Sequence, residues 1–96
     1  MLVLRSVALG AMHGNEIARQ IHGASRGVLI VEAGSLYPAL KRMRRKGWLR
    51  AEWRRTPQKQ RARYYTITPL GHERLRHQRR GFEEMVAAIE RVMYAS

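Results

Sequence analysis

GSLYPALKRMRRKGWLRAEW, residues 34–53, changes its hydrophobic period halfway along, and that change decides the fold. In its first part Leu36, Leu40 and Met43 recur at steps of four and three, the spacing of one buried stripe on a helix. Tyr37, Pro38, Lys41, Arg42 and Arg45 turn to the other side, and Gly47 ends the helix. The helix is expected to begin near Gly34 or Ser35, with the Ser35 hydroxyl capping free amides and Pro38 in the first turn, where its missing N–H costs little. From Trp48 the period is two. Leu49, Ala51 and Trp53 share one face and Trp48, Arg50, Glu52 and Arg54 the other, which predicts a strand. Residues 55–62 are polar and basic with Pro57 among them, a loop, and strand character resumes over 63–68 through Tyr65 and Ile67. A basic helix is thus followed by a hairpin with a long charged tip.

Upstream, Leu2, Val3, Leu4, Val7 and Leu9 follow a helical spacing that stops at Gly10. The start MLVLRSVALGAM has no charge before its apolar run and Arg5 interrupts it, so it reads as a core helix, not a leader. Gly14 opens a second helix in which Ile17, Ala18 and Ile21 share a face, until Gly23, Ser25 and Gly27 break it. Val28 to Val31 reads as a short strand or an extended connection. Downstream, Pro69 starts a helix that runs close to the C-terminus, weakened only at Gly81. The fold class is mainly α with a small β-hairpin. Two short helices, a basic third helix and a basic hairpin make the winged helix-turn-helix plan over residues 1–68, with a long dimerisation helix over 69–96.

The charge lies where that plan needs it. The net charge is +12, and between Lys41 and Arg63 eleven basic residues meet a single acid, Glu52. A solvated face would mix both signs; a block of one sign on a helix and a hairpin is the footprint of a polyanion binder. Arginine can donate two parallel bonds to guanine, so Lys41, Arg42 and Arg45 are suited to read and hold double-stranded DNA. On the hairpin Arg54, Arg55, Lys59, Arg61 and Arg63 have no apolar reason to be ordered and suit phosphates. A basic winged helix that binds RNA or the ribosome is the alternative reading.

Catalysis is excluded by what is missing: no Asp, no Cys, no Gly-rich phosphate loop and no paired acids among seven Glu. His72 and His77 are five apart, a poor match to the step of three or four that sets metal ligands on one helical face. No metal and no cofactor are expected. His13, just before the second helix, and Gly14 at its start suit a DNA phosphate at a helix N-terminus. Trp48 and Trp53 read as core residues. The lack of cysteine fits a reducing compartment, hence the cytoplasm, and no apolar run approaches the ~20 residues needed to span a bilayer.

MHGNEIARQI (12–21), VEAGSLYPALKRMRRKGWLRAEW (31–53) and RARYYTITPLG (61–71) together resemble the PadR family of bacterial transcriptional regulators. The resemblance implies a winged helix that dimerises through its C-terminal helix, and repression that a small-molecule effector or stress relieves in many members. It places Ser35, Tyr37 and Pro38 at the start of the recognition helix, Lys41, Arg42 and Arg45 on its groove side, and Arg61, Arg63, Tyr64 and Tyr65 in the wing. It departs at Asn15, where the family usually has an aromatic, and in the few residues before Leu2.

In the final helix Leu75, Gln78, Phe82, Met85, Ile89 and Val92 follow at alternating steps of three and four, a heptad seam with one polar member. Val86 and Met93 widen it. The seam predicts a homodimer, with two recognition helices related by a two-fold axis.

Overall fold

The computed structural model describes residues 1–95. Seven elements follow one another: α1 (Leu2–Val7), β1 (Met12–His13), α2 (Gly14–Ala24), α3 (Ala33–Arg45), β2 (Leu49–Arg55), β3 (Arg61–Ile67) and α4 (Pro69–Met93). The chain is mainly helical with a small antiparallel sheet in the order β1-β3-β2. Val3, Leu4 and Val7 of α1, Ile17 and Ile21 of α2, Leu36 and Leu40 of α3, Leu49 of β2, Tyr65 of β3 and Leu75 of α4 form one buried cluster. That is the winged helix-turn-helix arrangement with a long C-terminal helix. Among the described residues no helix is long and apolar enough to cross a membrane.

Several elements differ from the sequence expectations. Of the two expectations for Val28 to Val31 the extended connection holds and the strand does not: Val28 and Ile30 are 79% and 75% exposed, and no strand lies beside them. The third strand is Met12–His13 instead, paired with Tyr65 and Tyr64. The cap of α3 also moves. Helical bonding starts at Glu32, whose carbonyl accepts from Leu36 at 2.9 Å, so Glu32 is the N-cap, without a side-chain cap bond. Ser35 therefore caps nothing, and Pro38 lies inside the helix rather than in its first turn. Pro38 has no N–H to return to Gly34, and both residues are exposed, where the missing bond costs least.

The hairpin is tighter than expected. The ladder runs from Leu49↔Ile67 to Arg55↔Arg61, leaving only residues 56–60 as its tip. Thr56 closes that tip, its N–H donating to Gln60 O at 2.7 Å and its Oγ1 accepting from Gln60 N at 3.2 Å. Backbone pairing thus continues through residues whose side chains carry no apolar signal. Trp53 differs too: it shares the face of Leu49 and Ala51 but is 58% exposed, because the hairpin extends beyond the core. Trp48 is half-buried against that core, with Lys46 and Arg74 over its ring.

The end of α3, the base of the hairpin and the start of α4 meet at one point. Gly47 adopts φ +79°, and Gly47 N–H donates to Arg44 O and Trp48 N–H to Met43 O, both at 3.0 Å, which closes α3 and turns the chain into β2. Thr68 then ties the junction. Its Oγ1 donates to Gly47 O at 2.5 Å and accepts from Gly71 N at 3.0 Å, and its N–H donates to Trp48 O at 3.0 Å. Capped by Thr68 and started by Pro69, α4 runs 25 residues without a break at Gly81.

Leu75, placed in the seam by its spacing, is 5% exposed and belongs to the core of its own chain. Beyond it α4 leaves the body, and the molecule is 58 Å along its longest axis. Phe82, Met85, Ile89 and Val92 are 52%, 63%, 50% and 80% exposed, whereas Val86 is half-buried.

Candidate nucleic-acid interface

The buried stripe of α3 is anchored by Leu36 and Leu40, and this alone decides what the helix presents outward. Tyr37, Pro38, Lys41, Arg42 and Arg45 are all exposed, as the spacing predicted, and Ser35 is exposed beside them. Among the described residues the only ion pair of an arginine or lysine with a carboxylate is Arg54 with Glu52. Lys41, Arg42 and Arg45 therefore make no ion pair with the described residues.

Tyr37 does more than face outward. Its ring lies over the first residue of α2: a Cβ built on Gly14 would stand 2.8 Å from Tyr37 Oη and 3.0 Å from two ring carbons. Gly14 is buried and makes room for that ring, so its bare backbone serves the packing of α3 on α2. His13 is likewise engaged within the chain. Its Nδ1 accepts from Glu16 N at 3.4 Å, Glu16 Oε1 accepts from His13 N at 3.1 Å, and the His13 ring meets Tyr64 edge-on at 5.3 Å. This is a reciprocal cap with histidine in the place usually held by Ser or Thr. The Glu16 carboxylate also stands 3.3 Å from His13 Nε2.

On the wing the arginines divide into two sets. Arg54 pairs with Glu52 and lies over the Tyr64 ring at 5.3 Å, on the outer face. Arg61 and Arg63 lie over Trp53 on the opposite face, at 5.2 and 5.6 Å from its ring centre. Arg55 is the direct cross-strand partner of Arg61. Like charges set opposite each other destabilise a ladder, and an anion bound between them removes that cost. Lys59 sits at the tip with φ +61°.

Because β1 is two residues long, β3 beyond Tyr64 has no neighbour on that side, and a cleft opens there between the wing and α2. It holds about 400 Å³ and is lined by Tyr37 of α3, Arg19 and Asn15 of α2, and Gln58, Gln60, Arg61 and Arg63 of the wing. Helix and wing thus frame one polar, basic cleft. Arg19 was missed by sequence reasoning, although its place two residues after Ile17, off the buried face, was a usable signal. Trp53 was missed because it was read as core.

Among the described residues no three His or Glu side chains stand close enough to hold a metal ion. No curated protein matches the sequence. Several solved structures share the fold. A transcriptional regulator from Clostridium thermocellum superposes with a TM-score of 0.85 at 21% identity, covering 99% of this chain and 90% of that one. A PadR-like transcriptional regulator from Bacillus cereus gives 0.82 at 19% identity, covering 98% and 89%. A PadR family regulator from Eggerthella lenta gives 0.80 at 23% identity, covering 99% and 83%. The profile of the Transcriptional regulator PadR-like family matches residues 3–77, which takes in α1, the helix-turn-helix, the wing and the buried start of α4. With a basic outer face on its third helix and a family whose members regulate rather than catalyse, the chain belongs to the PadR-like family and is a DNA-binding transcriptional regulator.

Proposed function

We propose that the chain acts as a homodimeric repressor reading a two-fold symmetric operator, with α3 in the major groove and the wing on the flanking backbone. The observation that carries this reading is the exposed seam of α4. Phe82, Met85, Ile89 and Val92 lie at steps of three, four and three on one helix face, each at least half exposed. Water is a poor partner for such a stripe, and a second copy of the same helix covers it with knobs-into-holes packing. On this reading residues 1–68 with the first turns of α4 form the reader and the rest of 69–96 the dimerisation helix. A two-fold axis through that helix doubles the contacts of a small reader and spaces two α3 helices about one DNA turn, or a multiple, apart. Occupying a promoter represses by exclusion. A small-molecule effector acting on the dimer accompanies this reading as an implication of the family resemblance, and a cytoplasmic placement fits the lack of cysteine.

The test is selection of bound duplexes from a random pool, alongside sedimentation of the free protein. A palindromic enriched sequence and a dimeric mass are expected; a monomer at micromolar concentration with an unsymmetrical enriched site defeats the proposal. In the same assay Arg45→Ala should cost about 1–3 kcal/mol on the selected duplex while the melting temperature stays unchanged. Equal loss on unrelated duplex would move Arg45 from base contact to phosphate contact.

The wing has its own measurement. Lys59→Asn keeps a residue that tolerates the positive φ while removing the charge. The slope of log affinity against log salt should shrink by about one, the loss of a single phosphate contact. An unchanged slope would take the tip off the DNA.

A further inference from the structure

We propose that Trp53 is a positioning residue of the wing, holding the guanidinium groups of Arg61 and Arg63 for the narrow minor groove of A·T-rich DNA beside each half-site. The inference rests on the reading of this face as the one that meets DNA. Trp53 continues the core-facing side of β2, yet it lies outside the buried cluster and the apolar residues packed on it, and more than half of it is exposed. What lies on it instead is charge. Arg63, its cross-strand partner, and Arg61, the next residue of β3 on that face, stand over the indole at 5.6 and 5.2 Å. The Nε of Arg63 is out of contact with solvent and has no hydrogen-bond partner, so ring contact rather than a hydrogen bond orients that part of the side chain.

The manner of holding matters for what is left to bind. An arginine fixed by a carboxylate has its charge neutralised and its donors occupied. One fixed by an aromatic face keeps its full charge and directs its N–H groups outward in the ring plane. The acid of the hairpin, Glu52, is on the opposite face and already taken by Arg54. Arg55 adds a third guanidinium beside Arg61, so the Trp53 face of the wing carries three cations, and none of them has an ion-pair partner among the described residues. Such a face complements concentrated negative potential more than any pattern of base donors and acceptors. The minor groove of A·T-rich DNA is where that potential is strongest, because the groove narrows there.

The experiment uses the full chain and the duplex selected above, with the half-sites constant and the flanks changed to A·T, G·C or inosine·cytosine pairs. Inosine·cytosine lacks the guanine amino group, so it resembles A·T in the minor groove and G·C in the major groove. Binding is expected to fall about tenfold from A·T to G·C flanks and to recover with inosine·cytosine. Trp53→Phe should keep most of that flank preference, since phenyl still offers a π-face, and Trp53→Leu, of similar apolar character, should abolish it. Arg61→Lys with Arg63→Lys, which leaves ring and charge in place, should abolish it as well, and serves if the leucine variant does not fold. A wild-type protein indifferent to its flanks, or a leucine or double-lysine variant that keeps the full preference, overturns the inference alone. Failure to bind any duplex overturns both it and the reading on which it rests.

Discussion

Phe82→Glu combined with Ile89→Glu is expected to give a folded monomer whose operator binding falls by on the order of a thousandfold, to the level of non-specific duplex. The two side chains lie one heptad apart on α4, and neither belongs to the buried cluster of the reader. Carboxylates there leave the winged helix its own core while setting charge against charge across a paired helix, where nothing offsets their desolvation. A monomer retains one half-site of contacts and loses the two-fold arrangement that makes the second nearly free once the first is made. Sedimentation and duplex titration at one salt concentration decide it. A variant that still sediments as a dimer and binds unchanged would place the interface elsewhere than the α4 seam.

Gly71→Ala is expected to be the most damaging single methyl in the molecule. A Cβ at that position would lie 2.2 Å from Trp48 O and 2.8 Å from Ile67 Cγ1. The first of these is backbone, held by the Thr68 N–H, and cannot rotate away. Overpacking of this type costs about 3 kcal/mol, a large part of the ~5–15 kcal/mol that stabilises a domain. For a chain of this size that lowers the melting temperature by roughly 12–24 °C. Gly23→Ala is the control: its Cβ meets nothing within 4 Å, and in the last turn of α2 it should stabilise by about 0.5 kcal/mol or less. Thermal melts of the two variants should therefore move in opposite directions; a Gly71→Ala melt matching the wild type would show that β2 and α4 can separate at no cost.

Much of this architecture could be read from residues alone, and the failures have a common cause. The stripe of Leu36 and Leu40 located the third helix and its outward face, Gly47 its end, and Pro69 the start of α4, because each is a local signal with a local physical reason; the Thr68 cap came only with the structure. Periodicity, however, reports which side chains share a face and not what lies against that face. Trp53 has the same alternation as Leu49, but only the folded chain shows that the hairpin outlasts the core by four residue pairs, two of them on that face. Leu75 keeps heptad step with Phe82 and Met85, yet it is spent on its own chain because α1 and the sheet reach it. Met12–His13 is too short to carry any pattern; its pairing comes from Tyr64 and Tyr65, far along the chain. At the site, charge made Lys41, Arg42 and Arg45 visible. The use of Gly14 as a seat for Tyr37, and of His13 as a cap, depends on contacts that no spacing encodes.

The junction at Thr68 makes the reading helix and α4 parts of one crank. Three hydrogen bonds at a single residue fasten the last carbonyl after α3, the base of the wing and the first turn of α4, so rotation of one arm is delivered to the other with little slack. In the proposed dimer two such cranks share an axle along α4, and the tilt at which the arms cross would set the distance between the two α3 helices. The spacing of half-sites that the pair accepts is then a mechanical output of side-chain packing far from any base, and a wedge driven between the arms would shift both readers together.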